Sequence, residues 1–378
     1  MRRHAAARLC RASVLGFVAL TAAMGTLVGC TKPTGLTVEQ RIASLPISNA
    51  EWRELGYRWD WKAAPVVGTG QGPRFTVVGP DLVVFQETGG TVSAIAAGVG
   101  STIWENRLAG KLTRFTGAQI LGDRVFVASQ AELFILDATT GELVDRQQFE
   151  RLVNTPPLVL GDLVVVGSNS GELMGHFVPA RLKAWGHLMP GVFEQQTVDV
   201  GGIVANVTTR GRIIFVDPIS KRQTGLNDIF DGPGAELGAG DGRLYVASLD
   251  QSLYAFDPLT GGKVWQKRTP DAIRAKPVYH SGVVYCSFRE DGLTALDAAT
   301  GETLWNNPEQ RGNVVAVRNG RLLVHDGGQI SLIDPQRGSR LGEIGIPNIH
   351  TITTDQFEDG NLYLTSTEGV IARFVPAG

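Results

Sequence analysis

Along residues 57–378, apolar residues come in runs of about four to six, separated by glycine, aspartate or asparagine, too short for a helix with a buried stripe. Val283 to Phe288 and Leu293 to Leu296 are two such runs, each preceded by a turn former, Ser281-Gly282 and Asp291-Gly292. Several runs alternate apolar with polar, the period of a half-buried strand. Ala272 to His280, Val283 to Phe288, Leu293 to Leu296 and Glu302 to Asn306 thus predict four strands within one unit of about forty residues.

The unit repeats. Leu136-Asp137-Ala138-Thr139-Thr140-Gly141, Phe256-Asp257-Pro258-Leu259-Thr260-Gly261 and Leu296-Asp297-Ala298-Ala299-Thr300-Gly301 share Asp-x-x-Thr-Gly, twice followed by x-x-x-Trp. Anchored on the Asp, the phase falls at Ala96, Asp137, Phe177, Asp217, Asp257, Asp297, Asp334 and, more loosely, Phe374. Tryptophan stands eight residues after the anchor at Trp104, Trp185, Trp265 and Trp305, including after two anchors that are not Asp. The glycine four residues after the anchor fits a hairpin that needs positive φ, with the Asp holding the turn. Asp137, Gly141, Asp257, Gly261, Asp297 and Gly301 are therefore read as repeat turns.

Eight four-stranded units predict an all-β chain, a single eight-bladed propeller; a superhelical array of the same units is the alternative. The last unit has room for only three strands. Trp59 to Pro65 resembles Trp265 to Pro270 in its spacing from Trp to Pro, so Trp61 is expected to open the missing outer strand and close the ring. The propeller is assigned to residues 57–378.

The first 29 residues carry four arginines and no acid, so the remainder holds 31 basic and 37 acidic residues, a net charge of -6. That balance argues against a sequence-blind nucleic-acid binder. Residues 1–11 are basic, Ala12 to Val28 is apolar and uncharged, and Leu27-Val28-Gly29-Cys30 follows, a pattern that resembles a lipoprotein signal with its lipobox. The resemblance implies a signal over 1–29, diacylglyceryl and acyl (palmitate-type) lipid on Cys30, and attachment to an envelope membrane. Residues 30–56 read as a lipidated tether, with docking on the propeller left open. Cys286 is then the only other cysteine of the mature chain, which excludes an intramolecular disulfide.

The Asp-x-x-Thr-Gly-x-x-x-Trp signature over eight units resembles the pyrroloquinoline-quinone-type repeat family. In that family Trp61, Trp104, Trp185, Trp265 and Trp305 would pack between blades, as large apolar side chains repeated at one place should. One branch contains quinone-dependent dehydrogenases, and the other contains non-enzymatic propellers typified by the outer-membrane assembly lipoprotein BamB. Signal, lipobox, short tether and an undecorated ring are similar to the second. This resemblance implies an envelope scaffold without a cofactor, a β-barrel assembly complex as partner, and a location at the outer membrane facing the periplasm. Thr31 after Cys30, rather than Asp, points the same way. Another protein- or ligand-binding duty in the envelope is the alternative. The dehydrogenase reading lacks the adjacent cysteine pair and the long insertions of that branch.

Other chemistry finds little footing. His176, His187, His280, His325 and His350 show no tight metal-ligand spacing, so no metal is expected. Gly167 to Gly171 and Gly238 to Gly242 copy the glycine spacing of a nucleophile elbow and a phosphate loop, but neither opens a helix. Asp355, Glu358 and Asp359 miss the spacing of a calcium loop. The repeat decays at Phe177 to Trp185, which continues into Leu188 and Phe193, either as a partner surface or with the apolar residues facing the core. A second departure, Lys221 to Glu236, reads as an open rim loop.

Overall fold

The computed structural model describes residues 35–378. The signal over 1–29 and Cys30 lie outside the described residues. All 32 strands fall into eight four-stranded antiparallel sheets. Seven sheets take four consecutive strands each: blade 1 spans 73–107, blade 2 115–148, blade 3 158–188, blade 4 198–228, blade 5 238–268, blade 6 278–307 and blade 7 313–345. Blade 8 takes three strands from 349–376 and its outermost from the other end of the chain, Tyr57–Ala63. Tyr57 pairs with Pro376 and Ala63 with Ile371 in that clasp, and Arg373 bonds Asp60 across it at 3.0 Å. Trp61 sits late in this strand and does not open it, because pairing already begins at Tyr57.

Burial explains why the middle strands are continuously apolar. In Glu132–Asp137, Phe134 and Leu136 enter the cluster shared with blade 1, while Leu133 and Ile135 enter the cluster shared with blade 3. Each blade is thus buried on both faces, and eight hydrophobic clusters fill the eight seams. The innermost strands differ around the ring. They have six or seven residues in blades 1, 2, 7 and 8 but three in blades 3 to 6, where Leu158–Leu160, Val198–Val200, Gly238–Gly240 and Val278–His280 line the centre. Gly238–Gly240 is such a strand and no phosphate loop; a Cβ on Gly238 or Gly240 would collide with Pro277 or Tyr279 of the next blade.

The described part of the 30–56 stretch is docked. Helix α2 (Asn49–Glu54) packs on blades 7 and 8, and helix α1 (Val38–Ala43) is tied to blade 8 and the connection that follows it. Thr37 and Gln40 form a capping box on α1, and the buried Arg41 donates to the carbonyls of Glu368, Pro65 and Gly369 at 2.8, 2.9 and 3.0 Å. Trp52 stacks on Phe374 with ring centroids 3.7 Å apart. Among the described residues no helix is long and apolar enough to cross a membrane.

Candidate functional site

The repeat turns lie between the third and fourth strands of each blade, on one face of the ring. Asp137 Oδ1 accepts from the amides of Thr139 and Thr140 at 2.9 and 3.0 Å, and Asp257 and Asp297 do the same in their turns. The amides of Thr140, Thr260 and Thr300 lead in holding the three carboxyls below their ordinary pKa. Stability contributed by these turns is complete above the ordinary carboxylate range and is lost as pH falls through the lowered values.

The turn glycines serve a second purpose that their φ alone does not disclose. Trp61, Trp104, Trp265 and Trp305 each reach the turn of the following blade and donate Nε1 to a carbonyl there, those of Ala97, Ala138, Ala298 and Pro335, at 2.7 to 2.9 Å. The indoles then lie over Gly100, Gly141, Gly301 and Gly338. A Cβ at Gly100 or Gly301 would stand 2.6 or 2.7 Å from the ring. Asn106 and Asn307, two residues past the Trp, donate to the carbonyls of Gly141 and Gly338. The glycine is thus required twice, for φ and for the neighbour's indole.

Three consecutive seams depart from this lock. Between blades 2 and 3, Asp145 stands where the Trp would be and Arg181 where the glycine would be, and the two pair at 3.1 Å. Gln147 donates to the Val178 carbonyl in place of the indole. Between blades 3 and 4, Lys221 holds the turn at φ 64°. Trp185 lies against Gly175 of its own blade, and its buried Nε1 has no partner among the described residues. Between blades 4 and 5, Gly225 and Gly261 bring two backbones together, while Thr224 donates to the Pro258 carbonyl at 2.8 Å.

The opposite rim carries the connections from the outermost strand of one blade to the innermost of the next. Leu152, Leu188 and Phe230 are exposed there on three successive connections, and Phe230 is 95% exposed. Leu188 is 70% exposed and occupies the phase of Gln148, Asp228 and Arg268. Phe193, grouped with Leu188 by sequence, is fully buried in the seam of blades 3 and 4 and cannot meet a partner. Its phase matches the buried Val153 and Ile273, a signal that the forty-residue spacing already contains. The Lys221 to Glu236 stretch is likewise no single loop. Arg222–Asp228 is an outer strand, so Lys221 and Phe230 lie on opposite faces. Phe230 follows the buried Ile229; in an adjacent apolar pair on a rim only one residue can face in.

Several titratable groups outside the turns have structural partners. His176 is buried against Gln147, with burial lowering its pKa. Asp355 accepts from Asn361, and Asp359 accepts from Arg318 and the Asn319 amide, so these two acids close a loop. Among the described residues no three His, Cys, Asp or Glu side chains converge as metal ligands would.

A family model described as outer membrane protein assembly factor BamB matches residues 88–221 and 209–361. The chain belongs to the BamB family. An outer membrane protein assembly factor BamB of Burkholderia pseudomallei is 25% identical over 339 residues, covering 84% of the chain and 82% of the relative. The protein of the same description from Yersinia pestis is 22% identical over 347 residues, 82% and 86% of the two chains. The crystal structure of BamB from Moraxella catarrhalis superposes with a TM-score of 0.67 at 20% identity, covering 84% of this chain and 97% of that one. The computationally designed protein Ika8 superposes equally well, with a TM-score of 0.68 at 13% identity. The likeness to these two structures shows the fold alone, and a function must be argued from the surfaces the fold carries.

Proposed function

We infer that the chain is a lipid-anchored, non-enzymatic scaffold of the cell envelope that assists assembly and insertion of outer-membrane β-barrel proteins through protein contacts. Anchoring at Cys30 at the outer membrane, facing the periplasm, belongs to the same reading. The observation that carries it is the row of exposed apolar side chains, Leu152, Leu188 and Phe230, on one rim of blades 2 to 5 within the region matched by the family model. Rigid strands hold these connections at fixed spacing, which suits a docking surface. An aromatic beside aliphatic side chains fits the apolar composition of an interface core. Support for a scaffold over an enzyme comes from the family relationship.

Affinity purification of the full chain from detergent-solubilised envelope tests the reading. Recovery of a β-barrel assembly protein is expected, with recovery falling at least about tenfold in Leu188→Glu and Phe230→Glu, a loss of the size expected for central interface residues. Purification that returns no assembly protein with the unaltered chain overturns it.

A further inference from the structure

A different arc of the same rim has properties of its own. The first described residue, Gly35, lies beside Thr69 on the connection from blade 8 to blade 1. From there contacts run continuously along the rim. Gln71 and Gly72 bond Thr88, and Gly90 accepts from the Leu108 amide, which opens the connection from blade 1 to blade 2. Along this arc Leu36, Val38, Val66 and Leu112 are exposed apolar side chains, and Leu112 has no cover at all, at 101% exposure.

Beside Leu112 is a notch lined by Arg74, Lys111 and Arg114. None of these three cations has a carboxylate within ion-pair distance among the described residues. Arg74 donates to the Phe115 carbonyl; its partial burial, followed by the charge of Arg114, lowers its pKa from the ordinary value. Two like charges held together without a counter-ion are the arrangement of a site for an external anion. Acidic residues on the arc are otherwise engaged: Glu368 faces Arg41, and Glu105 accepts from the Val66 amide at 3.4 Å. Glu39 stands at the first turn of α1.

Chain length decides the occupant. Cys30 is five residues before Gly35, so a lipid on Cys30 can be no farther than about 18 Å from this rim. Arg41 and Trp52 pin the following residues to the ring, so the tail leaves from one fixed place.

We propose that the rim of blades 8, 1 and 2 is a membrane-docking surface, in which Leu36, Val38, Val66 and Leu112 enter the interfacial layer and Arg74, Lys111 and Arg114 bind phosphates of anionic phospholipid headgroups. The inference rests on lipid attachment at Cys30. It sets the ring with this arc on the membrane while the Leu188 and Phe230 arc of the same face is turned to a protein beside it. Exposed aliphatic residues contribute by burial in the interface, and each basic residue near an anionic surface adds electrostatic attraction that salt weakens.

The test uses the full chain on phosphatidylcholine vesicles, with and without phosphatidylglycerol, carrying a spin-labelled lipid that quenches a fluorophore on contact. Leu112→Cys and, on the opposite face, Ile219→Cys are labelled separately; Cys286 is buried with its thiol pKa pushed up, and stays unlabelled. The expected result is strong quenching at position 112 on phosphatidylglycerol vesicles, little on phosphatidylcholine alone, and none at 219. Lys111→Gln and Arg114→Gln should each lower the docked-to-undocked ratio about fivefold. A chain whose N-terminal peptide carries lipid on Cys30, yet whose position 112 is unquenched or quenched no more than 219, overturns the docking surface alone. Quenching at 112 without lipid on Cys30 supports the surface and overturns the anchor; absence of both overturns both.

Discussion

The seam between blades 1 and 2 and the seam between blades 2 and 3 solve one problem with different chemistry. In the first, an indole lies over a glycine and bonds the turn beyond it; in the second, the Asp145–Arg181 ion pair and the Gln147 side chain bridge the same gap. Four of the eight seams use the indole; of the four that do not, one, between blades 7 and 8, has Gly342 at the Trp position, and the other three are consecutive, from blade 2 to blade 5. Those same connections carry Leu152, Leu188 and Phe230 on the other rim. The difference teaches that the turn conformation is more tightly specified than its sequence. Arg181 and Lys221 keep φ at 56° and 64° where glycine is absent, and only the packing over the turn has changed.

The sharpest way to break the comparison is to remove an indole. Trp265→Ala is expected to destabilise the ring by about 3 to 5 kcal/mol, the cost of emptying an aromatic site, measured by equilibrium denaturation. Trp185→Ala should cost less by about 1 kcal/mol, because its Nε1 has no hydrogen bond to lose. Equal losses would show that the two seams do not differ in this respect.

Gly301→Ala comes next, at about 2 to 4 kcal/mol, since a Cβ there meets both the left-handed backbone and the Trp265 ring. Its cost should fall when Trp265 is already alanine, which a double-mutant cycle reads directly. Lys221→Gly works in the opposite direction. Relief of the left-handed backbone should stabilise by about 1 kcal/mol, and a crystal structure of the variant should show whether Trp185 moves onto the turn. The smallest effect belongs to Asp145→Ala, about 0.5 kcal/mol, because Arg181 is largely exposed and water screens the pair. A loss above about 2 kcal/mol would make that ion pair the equal of an indole and undo the distinction.

The ring was legible in sequence because its period is rigid: spacings of forty residues align turns and tryptophans even at Phe177, where the Asp is lost. The clasp was legible for the same reason, through the Trp61 spacing to Pro65. What spacing within one unit could not show is pairing between units. Asp145 and Arg181 are read as two separate decays until positions about 36 residues apart are compared, since the partner of an outer strand is the next blade's turn. Docking of residues 35–56 was hidden because α1 and α2 are six residues each and their binding energy comes from the ring, through Arg41 and Trp52, with little from helix propensity. The candidate surface was half legible. Leu188 stands out as apolar where the repeat is polar, whereas Phe193 misleads because an apolar residue on a connection is a core residue whenever its phase is shared.

The clasp also imposes a timetable. Asp60 and Arg373 meet although they are 313 residues apart in sequence. The strand Tyr57–Ala63 is synthesised before every other strand of the ring, and its hydrogen-bonding edge has no mate until Ile371–Pro376 follows. Throughout that interval it is an open template for any passing strand, so newly made chains are most vulnerable to aggregation before Ile371–Pro376 is available. Ring closure consequently cannot precede the strand Ile371–Pro376, and loss of that strand would leave Tyr57–Ala63 without its pairing partner.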